Sequence, residues 1–193
     1  MMFDFNKKEI RDLTISTVVL ALAFSGFFQS FSFWSLLTSL VVVVFVFISH
    51  EMAHRTLAQH YGFSANYRMW TFGLILGLIS ALLPGGIIFA APGAVYITPY
   101  KREFAFRVAR LTRKQHGLIN LAGPLTNIVI GISLVLLSFF ISLELFVLTA
   151  RISFFLAMFN LIPVPPLDGS KIIGWNSKLW ALAFGASLIG LLI

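Results

Sequence analysis

The chain has 193 residues, of which 59% are hydrophobic and only 11% charged, with a mean hydropathy of +0.93. A soluble domain carries roughly 25% charged residues, so a soluble globular protein is excluded. Cysteine is absent, which rules out disulfides, thiolate metal sites and cysteine nucleophiles, and leaves His, Asp and Glu to hold any metal. In so apolar a chain the net charge of +7 reads as loop cations on the cytoplasmic side of a membrane, not as a nucleic-acid surface.

Residues 1–12 are polar, and Leu13 to about Phe33 forms the first apolar span. Ala21-Leu22-Ala23 has the small residues of a signal-peptide cleavage site. The apolar character runs on through Phe24, Phe27, Phe28 and Phe31, so the span is read as retained. A second span runs from about Ser35 to Ala58 and contains His50-Glu51-Met52-Ala53-His54. On a helix, positions i and i+4 share a face, so His50 and His54 can offer two imidazoles to one metal ion. Glu51 can then reach a metal-bound water as general base. At 1.5 Å per residue, His50 lies roughly 22 Å from the start of this span, inside a hydrocarbon core of about 30 Å but near one face.

Residues 61–68 read as a short polar connection. Met69–Leu83 and Ile87–Ile97, joined by Pro84-Gly85-Gly86, read as a hairpin that enters the membrane and returns, its second arm extended. Residues 98–116 form a basic loop with Lys101, Arg102, Arg107, Arg110, Arg113 and Lys114. Gly117 to about Ile141 is the next span and carries Gly123-Pro124-Leu125-Thr126-Asn127. Another ends near Ile162 and leads into Pro163-Val164-Pro165-Pro166-Leu167-Asp168-Gly169. Leu179–Ile193 is a last apolar stretch. The expected architecture is an all-α polytopic membrane protein with about five to six transmembrane helices. A short membrane-inserted hairpin or strand segment follows the His-Glu-x-x-His helix. One domain covers residues 1–193, with a core at about 35–175.

With a cytoplasmic N-terminus, 13 of the 14 Lys and Arg fall on one side, and only Arg151 lies outside that set. The positive-inside rule makes that side cytoplasmic, which gives a multi-pass cell-membrane protein. It also places His50 and Asp168 at the cytoplasmic ends of their spans. Two imidazoles do not complete a catalytic zinc site, which takes three protein ligands and a water. Glu144 lies toward the opposite face and Glu103 in the basic loop, while His60 and His116 read as interfacial and solvated. Asp168 has the matching depth and side, in a segment that three prolines keep from being a regular helix. Asn127 and Asn160 read equally well as interhelical hydrogen-bonding residues and as site residues.

His50-Glu51-x-x-His54 in a span, Gly123-Pro124-x-x-Asn127 opening a later one, and Asn160-x-x-Pro163-x-x-x-x-Asp168-Gly169 occur in that order. On these three motifs the chain resembles the site-2 protease family of intramembrane zinc metalloproteases. The resemblance implies one Zn2+ per chain held by His50, His54 and Asp168, with Glu51 as general base. It implies that Asn160, and with it Asn127, positions the substrate or its developing oxyanion. It implies a substrate-docking strand within Gly86–Ile97, marked by Gly86, Phe89 and Ala91. The implied partners are a transmembrane protein substrate and the bilayer, with no nucleic acid. The expected activity is hydrolysis of a peptide bond in a transmembrane segment near the cytoplasmic face. The alternatives are an inactive relative acting as a membrane partner protein, and a metal transporter. A transporter needs polar residues across the membrane, and Leu36–Phe47 offers only Thr38 and Ser39.

Overall fold

The computed structural model describes residues 5–26, 32–83, 88–101 and 111–193. Among these, seven helices and one two-stranded antiparallel sheet are present. Helix α1 (Lys7–Phe24) starts at Asn6, whose side chain accepts from the Glu9 amide. Helix α2 (Phe33–His60) is 28 residues long and is capped by Ser32. Strand β1 (Phe63–Met69), helix α3 (Thr71–Leu82) and strand β2 (Gly93–Lys101) follow. Helix α4 (Arg113–Ser138) opens with a capping box between Thr112 and Gln115 and runs on through Pro124. Helices α5 (Glu144–Asn160), α6 (Gly169–Trp175) and α7 (Ser177–Leu192) complete the chain.

Two of the helices, α2 and α4, are long and apolar enough to cross a membrane. Their outward faces support that reading. Val41, Val44 and Phe45 on α2, and Leu125, Val129, Ile132 and Leu136 on α4, are all exposed. A surface of that kind suits lipid. The buried face of α2 carries Ser39, Val42, Val43, Val46, Phe47, His50, Glu51 and His54, at steps of three and four residues. The metal motif therefore continues the stripe that packs against α1, α4 and α5. Leu20 of α1, Tyr67 of β1 and Ile152, Leu156 and Phe159 of α5 complete this core. A second core joins Ile128 of α4 to Phe154 and Ala157 of α5, Ile172 of α6 and Ala183 of α7.

Part of the expected architecture is corrected here. Residues 61–68, expected as a polar connection, form most of β1, so this mostly helical fold carries a strand directly after the metal helix. The first arm of the hairpin is α3, about 18 Å long at 1.5 Å per residue and too short to cross a bilayer. The second arm is extended, as expected, and pairs with β1: Tyr67 opposes Val95 and Met69 opposes Gly93. It packs back closely on α3, since a Cβ on Gly73 would lie 2.1 Å from the Ala91 carbonyl oxygen. Gly86 and residues 102–110 of the basic loop fall outside the described residues.

Two cations counted as loop charges are structural. Arg55 on α2 is 2% exposed, and its Nη1 donates to Oε1 of the fully buried Glu9 at 2.5 Å. The same oxygen accepts from the Tyr67 amide at 3.0 Å, and the Phe5 ring lies 4.1 Å from the Arg55 guanidinium. Arg68 lies 4.0 Å from the buried Asp12. Tyr67 donates to Ser16 Oγ at 2.8 Å, and burial pushes its phenol above its ordinary pKa. These contacts fasten α1 to both α2 and the sheet. Removing one member of a buried ion pair costs about 3–5 kcal/mol, because the partner is left buried and uncompensated. Glu9→Ala should therefore lower stability by that amount in equilibrium unfolding in detergent, and a loss below about 1 kcal/mol would contradict this role.

Candidate metal centre

The helical repeat of α2 puts His50 and His54 one turn apart on its buried face. Their Nε2 atoms are 3.0 Å apart, and the rings meet nearly edge to face at 79°. Asp168 arrives from the other side of the core, at the start of α6. Its Oδ2 lies 3.4 Å from His50 Nε2 and 3.1 Å from His54 Nε2. One ligand atom from each of the three lies within 4.8 Å of the others. Two nitrogens bound to tetrahedral zinc at 2.0–2.1 Å sit about 3.3 Å apart, so the spacing fits that ion. Two imidazoles and one carboxylate also leave a fourth position open, as in catalytic zinc sites.

The space around the ligand atoms is shaped for them. A Cβ on Gly123 of α4 would lie 2.3 Å from His54 Nε2 and 2.6 Å from His50 Nε2. Only glycine lets α4 pass this close. Nδ1 of His54 lies 2.7 Å from the carbonyl oxygen of Ile119, so Nδ1–H donates there and the Nε2 lone pair is free for a metal. Glu51 is 5% exposed, and its Oε2 has no hydrogen-bond partner among the described residues. A buried carboxylate oxygen without a protein partner, beside three ligand atoms, fits a site that also holds an ion and water.

A cavity of about 350 Å³ opens on the ligands. Glu51, Asp168 and Asn160 line it, as do Gly93–Ile97 of β2. The metal group and the sheet therefore share one space. The Asn160 side chain donates to the Leu156 carbonyl at 2.9 Å. Of the two readings of Asn127, its place matches the interhelical one. It is fully buried, does not line the cavity, and its carboxamide faces His50 Nδ1 at 3.1 Å. Of the docking residues, Ala91 lines the cavity, whereas Phe89 packs edge to face on Phe159. The strand that faces the ligands begins later than Gly86, at Gly93.

Lys171, Asn120 and His116 were not singled out as site residues, yet all three line the cavity. Lys171 Nζ donates to the Pro166 carbonyl and, at 3.0 Å, to the Leu167 carbonyl, just before Asp168. Burial pulls its ammonium below its ordinary pKa, against the opposing charge of Asp168. Its position three residues after Asp168 in an otherwise apolar stretch was the available signal. His116, near the start of α4, lines the cavity and is exposed, as is His60 at the end of α2.

Two imidazoles, a carboxylate and a nearby glutamate on apolar helices define a zinc hydrolase centre in a membrane protein. Comparison with known proteins agrees. Residues 140–180, which include Asn160 and Asp168, match the model of peptidase family M50. A protein of Methanocaldococcus jannaschii that carries a provisional zinc-metalloprotease name is 42% identical over 201 residues, covering 99% of this chain and 96% of its own. One of Bacillus subtilis with the same kind of name is 32% identical over 157 residues, covering 72% of this chain and 69% of its own. No solved structure matches. The chain belongs to peptidase family M50, the site-2 protease family, and is a zinc metalloprotease.

Alanine is normally favoured over glycine in a helix by about 1 kcal/mol. At Gly123 the opposite should hold, since a methyl group there meets both ligand nitrogens. Gly123→Ala should purify with well under one zinc per chain by elemental analysis, and a full complement of zinc would contradict the close approach of α4.

Proposed function

We propose that the chain is an intramembrane endopeptidase that cuts a transmembrane segment of another membrane protein near the cytoplasmic face. The observation that carries this reading is the position of His50, Glu51 and His54 on the buried stripe of a membrane-length helix, in one cavity with the strand Gly93–Ile97. His50, His54 and Asp168 hold the zinc. When bound, zinc supplies Lewis acidity and brings the pKa of its water to about 7.

The remaining chemistry falls to side chains and backbone. Glu51 accepts the proton of the attacking water and returns it to the departing amide nitrogen. Asn160, on the cavity wall, is placed to donate to the substrate carbonyl if it gives up its bond to Leu156. A helical substrate hides its carbonyls in its own hydrogen bonds, so a locally extended segment must be presented. β1 occupies one edge of β2, and an unwound substrate strand pairs with the other edge. α1, α2, α4, α5 and α7 cross the membrane, and α3 with β1 and β2 forms a re-entrant unit on the cytoplasmic side. The N-terminus is cytoplasmic, and residues 1–193 act as one domain.

General-base removal costs about 10²–10⁴-fold in rate. Glu51→Gln should lose at least that much cleavage of a transmembrane substrate in detergent while keeping one zinc per chain. Cleavage within a few-fold of the parent would sink the mechanism. The absence of cysteine makes topology easy to test. Single cysteines replacing the exposed Lys8 and Glu144 should react with an impermeant maleimide from opposite faces of sealed vesicles, Lys8→Cys from the cytoplasmic one. Labelling of both from one face would overturn the topology.

A further inference from the structure

Each imidazole at the centre has one nitrogen directed at the metal position and one directed at α4. For His54 the α4 partner is a backbone carbonyl, Ile119. For His50 it is a side chain, Asn127, whose Nδ2 is placed 3.1 Å from Nδ1 while its Oδ1 has no partner among the described residues. Those roles conflict. His50 Nε2 faces His54 Nε2 and Asp168 Oδ2 and must keep its lone pair for the metal, so Nδ1 must carry the proton. A protonated Nδ1 needs an acceptor, and an amide nitrogen is not one. The oxygen and nitrogen of a carboxamide are assigned from their hydrogen-bond network. Turning this group by 180° places Oδ1 on Nδ1–H and gives the unpartnered oxygen its donor.

We infer that Asn127 is a positioning residue for the zinc centre: its carboxamide oxygen accepts from Nδ1–H of His50 and holds that ligand in the Nε2-coordinating tautomer. The residue is built into place for this. It is fully buried and away from the cavity, so it cannot touch a substrate. Its backbone carbonyl accepts from the buried Ser153 Oγ at 2.8 Å, which ties α4 to α5 at that level. Ile119, Gly123 and Asn127 recur every four residues on α4 and answer the four-residue spacing of His54 and His50 on an antiparallel neighbour. The Asn of the Gly-Pro-x-x-Asn motif thus acts on the metal ligand and not on the oxyanion.

Outer partners of metal-bound histidines are typically worth 10–100-fold in metal affinity. The test compares Asn127→Leu and Asn127→Asp, which are close in volume to the parent. Zinc affinity is read by competition with a chromophoric chelator in detergent, and ligand geometry by the visible spectrum of the cobalt-loaded protein. The leucine variant should bind zinc 10–100-fold more weakly and change the cobalt spectrum. The aspartate variant, whose carboxylate also accepts from Nδ1–H, should hold zinc within a few-fold of the parent and keep its spectrum. Parent-like affinity in the leucine variant would overturn the assignment. So would an aspartate variant that loses zinc as badly as the leucine one, and the aspartate result alone decides if the leucine variant does not fold. The inference rests on the zinc reading of the site. Because the readout is metal binding and not proteolysis, failure of the proposed cleavage leaves it standing.

Discussion

Two imidazoles buried in a helix bundle impose the constraint on which the rest of this structure depends. Away from water, each of their four nitrogens needs an assignment, because a buried polar atom left unpaired is costly. Two converge on the metal position, 3.0 Å apart. The other two are met by one face of α4, through the Ile119 carbonyl and the Asn127 carboxamide. That requires α4 to run antiparallel to α2 and very close to it, which is why Gly123 sits opposite the ligand nitrogens. The packing of α2 against α4 is therefore part of the metal site and not merely its support.

The third ligand has a different problem. Asp168 follows an irregular stretch, and free backbone groups at membrane depth survive only when protein or a wet cavity satisfies them. Here Trp180 Nε1 donates to the Leu161 carbonyl at 2.7 Å, and Lys171 donates to the carbonyls of Pro166 and Leu167. Gly169 lies so close to Leu161 that a Cβ would sit 2.0 Å from its carbonyl oxygen. The loop is thus held at both ends, by Lys171 of α6 and Trp180 of α7. At the other side of the site, Glu9 joins α1, α2 and β1 through a single carboxylate oxygen. The sheet that lines the cavity is anchored by the same contact that secures the metal helix.

Much of the candidate site was legible because its chemistry is dense and its setting is not. Among so many apolar residues, His50, Glu51, His54 and Asp168 stand out by cost alone. What was not legible has a common cause. α2 is apolar on every side, so hydrophobic periodicity carries no sign of which face is buried. Ser39 and Val42 point inward while Val41 and Phe45 point outward, a distinction made by packing alone. Arg55 looked like a loop cation because its partner Glu9 lies 46 residues away. Strand β1 was missed because Phe63–Met69 mixes polar and apolar residues, and its pairing partner comes after an intervening helix.

The sequence by itself determined the membrane setting, the absence of thiol chemistry and the two-histidine spacing on one helix. Those follow from composition and from the 3.6-residue repeat, which are local. Only the tertiary structure decided that Asn127 belongs to His50 and not to the cavity, that Gly93–Ile97 of β2 faces the ligands, and that Lys171 secures the Asp168 loop. Each of these depends on which distant backbone comes within hydrogen-bonding distance. That is set by how closely glycines let helices and loops approach, and no local pattern records it.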